Sequence, residues 1–244
     1  MRSRLLLVLL VGSCSAWWVG CGNGEDAPVA PTPIVPATPV DTAGQCPASA
    51  TYGVTFRATW DAASHGNSPP FPSGAHFSRV VGTTHVEEAS FWSSGGIATD
   101  GIEIMAETGA VDVLCDEVQA EVGSGRANGC IRGQEGSFRS PGTVTLSFEA
   151  DEGFPFLTLV SMIAPSPDWF VGVDGIGLRE GECWASRIEM DLAGYDAGTD
   201  SGATFTAPNA DVTPHEPIGP IDHLPAGVRE VPFATLVLER EGGE

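Results

Sequence analysis

Between residues 52 and 60 apolar and polar positions alternate. Val54, Phe56, Ala58 and Trp60 fall on one side and Thr55, Arg57 and Thr59 on the other, the period of a strand with one buried face. Five more stretches read as strands: Thr143 to Phe148, Phe156 to Ile163, Trp169 to Val173, Trp184 to Leu192 and Phe233 to Glu239. His76 to Gly82 and Ala89 to Trp92 are shorter apolar pieces. The period changes in two places. Asp100 is positioned to cap a short helix running to Ala106, with Gly109 beyond its end. Val111, Leu114, Val118 and Val122 then recur at helical spacing, which predicts a second helix over Ala110 to Val122. Asp61 to Gly74 and Gly123 to Gly142 carry no period and read as loops. Successive strands separated by turns predict a mainly β protein, an antiparallel β-sandwich with one or two short helices packed at an edge.

Composition agrees with short strands and many turns: of 244 residues, 31 are Gly and 19 are Pro, and 42% are hydrophobic, so a core can form. The formal charge of −21 narrows the partners. Such a surface repels phosphate backbones and anionic glycans and attracts cations, so no nucleic-acid partner is expected.

The two ends of the chain differ in kind. Arg2 and Arg4 precede the apolar run Leu5 to Val11 and a set of small residues, the layout of a signal peptide over residues 1–20. The run is too short for a confident spanning helix. Val19-Gly20-Cys21 resembles the bacterial lipobox, in which a small residue precedes a cysteine that is lipidated and becomes the new N-terminus; Trp18 stands where Leu is usual. The other reading is an ordinary secretory signal with Cys21 incidental. Gly22 to Gln45 holds Pro28, Pro31, Pro33, Pro36 and Pro39 among small residues. As extended Pro-rich chain this segment reaches about 70 Å, so residues 21–45 read as a lipidated cysteine and tether and residues 46–244 as the folded domain. The membrane is then met through the lipid alone, at the outer membrane or cell surface; without lipidation the protein would be secreted.

Cys46, Cys115, Cys130 and Cys183 remain in the domain. In an exported chain four cysteines suggest two disulfides, with three connectivities open. Cys115 with Cys130 closes a short local loop, and Cys46 with Cys183 pins the start of the domain to a distant strand; this pairing is preferred. No CxxC spacing suggests zinc.

Asp168 follows a Pro-Ser-Pro turn at the mouth of a strand. Asp196 and Asp200 bracket the small turn Ala197-Gly198-Thr199 after another strand. Three carboxylates at strand-end loops that share one end of a sandwich need a cation, since like charges at short range oppose one another's ionisation. A hard cation with oxygen ligands, calcium, fits such a set. The plainer alternative is three solvated turn residues. A rival chemistry is a metal-assisted hydrolase built from His65, His76 and His85, but there is no HExxH and no GxSxG. Trp60, Trp92, Trp169 and Trp184 are either core or a sugar-stacking platform, with core favoured for at least three.

Pro165-Ser166-Pro167-Asp168-Trp169-Phe170-Val171-Gly172 and Asp196-Ala197-Gly198-Thr199-Asp200-Ser201-Gly202 resemble the hallmark segments of the spondin domain. Tyr52-Gly53-Val54-Thr55-Phe56, Trp60, His76-Phe77-Ser78, Val81-Gly82, Trp92, Gly95-Gly96, Ala106-Glu107 and Trp184 follow in the family's order, so the resemblance spans about Cys46 to Arg240. It implies a C2-like sandwich, one calcium ion held by Asp168, Asp196 and Asp200, and Cys46 close to Cys183. Cys115 and Cys130 have no equivalent in it. Animal spondins sit in extracellular matrix and bind receptors or microbial glycans. The resemblance therefore implies a non-catalytic adhesion or ligand-binding module for an extracellular protein or glycan that remains unnamed.

Overall fold

The computed structural model describes residues 46–66 and 70–242. The signal segment, Cys21 and the tether lie outside the described residues. The first sheet is four-stranded and antiparallel. It runs in the order β11 (Arg187–Leu192), β14 (Ala234–Arg240), β1 (Ser49–Ala58), β6 (Gly142–Asp151). On β1 the alternation read from the sequence is observed: Tyr52, Val54, Phe56 and Ala58 are buried and Arg57 is exposed. Trp60, just past the strand, is buried as well.

The second sheet is built around β7 (Phe156–Ala164). One edge pairs with β8 (Trp169–Gly177), which continues to β12 (Gly194–Asp196) and β13 (Gly219–Pro220). The other edge is shared. Ile163 and Ala164 pair with β2 (His76–Phe77), and Phe156 to Val160 pair with β3 (Val81–His85). The loop expected over Gly123 to Gly142 supplies two short partners, β4 (Ile131–Arg132) beside β3 and β5 (Phe138–Arg139) beside β2. The run expected from Trp184 to Leu192 is broken at Ala185 and Ser186, where a small ladder of β9 (Arg179–Glu180) and β10 (Cys183–Trp184) ends and β11 begins. Ala89 to Trp92 forms no strand.

Two helices, α1 (Asp100–Thr108) and α2 (Asp112–Gly123), stand where the change of period put them. The cap of α1 is Thr99, not Asp100: its hydroxyl accepts from the Ile102 amide. Glu117 of α2 completes that end, accepting from the Thr99 hydroxyl and the Gly101 amide, each at 2.7 Å. Gly109 closes α1 at φ 73°. A single turn, α3 (Ala226–Arg229), precedes β14.

The helices do not pack at an edge. They cover the outer face of the second sheet, which makes three layers. Leu157, Leu159 and Ile163 of β7 face the first sheet with Trp169 and Val171 of β8. Val160, Met162 and Ala164 face the helices with Phe170, Ile102, Met105, Leu114 and Val118. A strand covered on both sides reads as a continuous apolar run, not an alternating one, and Phe156 to Ala164 is such a run. Both disulfides are formed, Cys46–Cys183 and Cys115–Cys130, with Cα atoms 5.1 and 5.4 Å apart.

Candidate functional site

The turn between β7 and β8 is closed by Ser166. Its hydroxyl accepts from the Trp169 amide at 3.0 Å and reaches the Ile163 carbonyl. This sets Asp168 immediately before β8, entirely buried. Antiparallel pairing of β12 with β8 puts Asp196 opposite Trp169, so Asp196 and Asp168 are neighbours by register. Beyond β12 the chain makes two successive turns, each stapled by an aspartate that accepts an amide two residues on. Asp196 Oδ1 accepts from the Gly198 amide at 2.9 Å, and Asp200 Oδ1 from the Gly202 amide at 2.7 Å. Gly198 sits at φ 74°, and a Cβ there would lie 2.2 Å from the Glu216 carbonyl oxygen, so the turn requires glycine twice over.

Asp168 is the centre of this arrangement. Its Oδ2 accepts from the Thr199 amide at 2.8 Å, the Asp200 amide at 3.1 Å and the Thr199 hydroxyl at 3.3 Å. Its Oδ1 is buried with no hydrogen-bond partner. Asp196 Oδ2 accepts from the Trp169 indole at 3.1 Å, and Asp200 Oδ2 accepts from the Ala210 amide at 2.7 Å. The three aspartates are thus gathered on one pair of loops, each held by its own donors. Among the described residues no group of three or more His, Cys, Asp or Glu side chains is arranged to hold a metal ion as it stands. The donor set is nonetheless that of a hard cation. It is all carboxylate oxygen, a carboxylate offers about four lone-pair sites, and the buried Asp168 Oδ1 is an acceptor with nothing to accept.

Burial pushes the Asp168 carboxyl above its ordinary range, against the pull of the Thr199 and Asp200 amides. Asp196 is pushed up to about 6, first by burial and then by the charge of Asp168. Asp196 and Asp200 also border an open hollow of about 340 Å³, with Gly198, Glu216, Asp222 and His223. A fourth acid lies behind the turn. Glu107, in the last turn of α1, has its Oε1 buried without a partner. Burial raises its pKa, the nearby Thr199 side chain offsets this in part, and the charges of Glu103, Asp211 and Asp168 add to the rise. No local pattern links Glu107 to Asp168, about sixty positions later, or to Thr199, about ninety positions later, so spacing alone does not place it at the site.

The histidines do not gather. His85 pairs with Phe156 at one end of β7 and His76 with Ala164 at the other. Both His85 nitrogens are engaged, with the Val86 carbonyl and the Thr158 hydroxyl. His65 lies on the Phe233 ring, 4.6 Å between centroids. All four tryptophans singled out in the sequence are at most 5% exposed, which leaves none to form a sugar platform.

A disulfide-linked, three-layered β-sandwich with an acidic site at the ends of its central strands defines the class. The chain belongs to the Spondin_N family, whose model matches residues 50–235. It is 32% identical to human Spondin-2 over 178 residues, 70% of this chain and 52% of that protein. It is 30% identical to rat Spondin-1 over 206 residues, 79% of this chain and 25% of that protein. The chain therefore spans about half the length of Spondin-2 and a quarter of Spondin-1. Among the described residues no helix is long and apolar enough to cross a membrane.

Proposed function

We propose that this chain is a calcium-binding spondin domain that serves as a non-catalytic adhesion or ligand-binding module. In this reading Asp168, Asp196 and Asp200 hold one calcium ion, with backbone carbonyls and water completing its shell. The observation that carries the reading is Asp168, a fully buried carboxylate with one oxygen unpaired and two further carboxylates beside it. An uncompensated buried charge costs several kcal/mol, and a divalent ion offsets that cost. Asp196 and Asp200 contribute by turning their remaining lone pairs inward while keeping their amide donors. The ion supplies fixed positive charge that sets the geometry of the strand-end loops. The partner is an extracellular protein or glycan met by those loops, and the domain is held at the cell envelope by a lipid on Cys21.

Thermal unfolding with and without a chelator tests the ion. An ion bound only by the folded state stabilises by about 2.7 kcal/mol at a hundredfold excess over Kd. Chelation should lower the melting temperature, and calcium should restore it better than magnesium. An unchanged melt after exhaustive chelation, with no metal found by elemental analysis, overturns the reading.

A further inference from the structure

Two carboxylate oxygens near the site are buried and unpaired, and they come from different layers of the molecule. Asp168 Oδ1 belongs to the turn that enters β8 of the second sheet and Glu107 Oε1 to the end of α1. Thr199 stands between them. Its amide and hydroxyl are bonded to Asp168, and its side chain also lies against Glu107. Each buried unsatisfied oxygen needs a physical account, and two acids on either side of one threonine oppose each other's ionisation unless positive charge lies between them. Among the described residues the last turn of α1 carries no basic side chain. The helix itself adds to the demand, because its C-terminal end carries partial negative charge that disfavours an acid and favours a cation.

We propose, resting on the calcium reading above, that Glu107 is a fourth acidic ligand of the same ion, and that the ion thereby locks α1 onto the sheet. The far end of α1 is already fixed, since Glu117 of α2 caps it. Ion binding at the near end then orders the whole helical layer. The spondin site is thus a clamp between two layers and not a feature of the strand-end loops alone.

The test uses the full chain in detergent at 0.15 M NaCl, with calcium chloride as the titrant. Glu107→Gln should weaken calcium binding about tenfold or more, as loss of ligand charge does. Glu103→Gln, one turn earlier on the same helix, removes the same charge and should change affinity less than twofold. Hydrogen exchange of the wild-type chain supplies a readout that needs no variant: calcium should slow exchange of the amides from Met105 to Gly109. If the wild-type chain binds calcium while Glu107→Gln binds equally well, Glu107 is no ligand. If it binds calcium and α1 exchange is unchanged, the clamp is wrong even where Glu107→Gln fails to fold. If the wild-type chain binds no calcium by titration, the calcium reading itself fails and this inference falls with it.

Discussion

Asp196 makes the acidity of the site measurable. Its carboxyl is raised from 3.8 to about 6 in the folded protein, so between about pH 4 and pH 6 the folded state holds more protons than the unfolded chain. Stability therefore falls as pH rises through that window, and the full cost stands above it. For one group the shift is worth on the order of 2–3 kcal/mol. In chelator, wild type should lose stability between pH 4 and 7 relative to Asp196→Asn, which has no proton to release there. Calcium at pH 7 should reverse the order of the two. Parallel pH profiles would show that the Asp196 carboxyl is not raised in the folded protein. Gly198 is the second residue on which the site depends. Gly198→Ala meets both a positive φ and a carbonyl oxygen at 2.2 Å, so it should cost more than the ~1 kcal/mol of an ordinary strained turn. Its larger expected effect is on calcium affinity, read by titration, because the turn aims Asp196 and Asp200.

At the level of elements, β7 and its partners decide what the site rests on. Gly82 on β3 lies so close to β7 that a Cβ would stand 1.9 Å from the Thr158 carbonyl oxygen. Gly82→Ala should push the strands apart and destabilise the fold by more than ~2 kcal/mol, seen as a lower denaturant midpoint. The disulfides act on different elements. Cys46–Cys183 joins residues 137 apart and Cys115–Cys130 residues 15 apart, the latter tying α2 to the segment that enters β4. In the chain-entropy account, cross-linking the longer loop contributes about 5 kcal/mol and the shorter about 3. Replacing the first pair by serines should therefore lower the denaturant midpoint more than replacing the second. The reverse ranking would mean that the helical layer depends on its cross-link more than the sandwich does.

For the whole molecule, charge is the dominant fact. A formal charge of −21 on 244 residues opposes compaction through self-repulsion, and the Debye length falls from about 10 Å at 0.1 M salt to about 3 Å at 1 M. In chelator, raising sodium chloride from 0.05 to 1 M should therefore raise the melting temperature by several degrees. A flat or falling curve would show that the acidic side chains are spaced well enough not to repel. Anchoring belongs to the same scale. Cys21→Ser should move the exported protein from the membrane fraction to the soluble one without changing its melt. Recovery of wild type wholly in the soluble fraction, without acyl label, would replace the lipoprotein reading with an ordinary secretory signal.

Much of this was legible in the chain itself, because it depends on near neighbours. The alternation on Tyr52 to Ala58 defines a strand with one buried face whatever it pairs with. Thr99 to Gly109 carries its own cap and its own stop, and Asp196 to Gly202 folds into two turns through side chain to backbone bonds only two residues long. Two local readings missed by a residue or an interruption, the cap at Thr99 and the break at Ala185, because neighbouring residues of similar character competed for the same role. Tertiary structure decided the rest. The helices lie on a face and not at an edge because β7 is apolar on both sides and needs a cover, and a continuous apolar run does not say what covers it. Asp168 is buried, and its oxygen left unpaired, only because β8, β12 and the turn at Thr199 close over it. Glu107 joins that site from another layer through contacts of long sequence separation, which no periodic pattern encodes. The local bonds are drawn by adjacent residues, and the shared environment that gives the site its charge is made only when the layers meet.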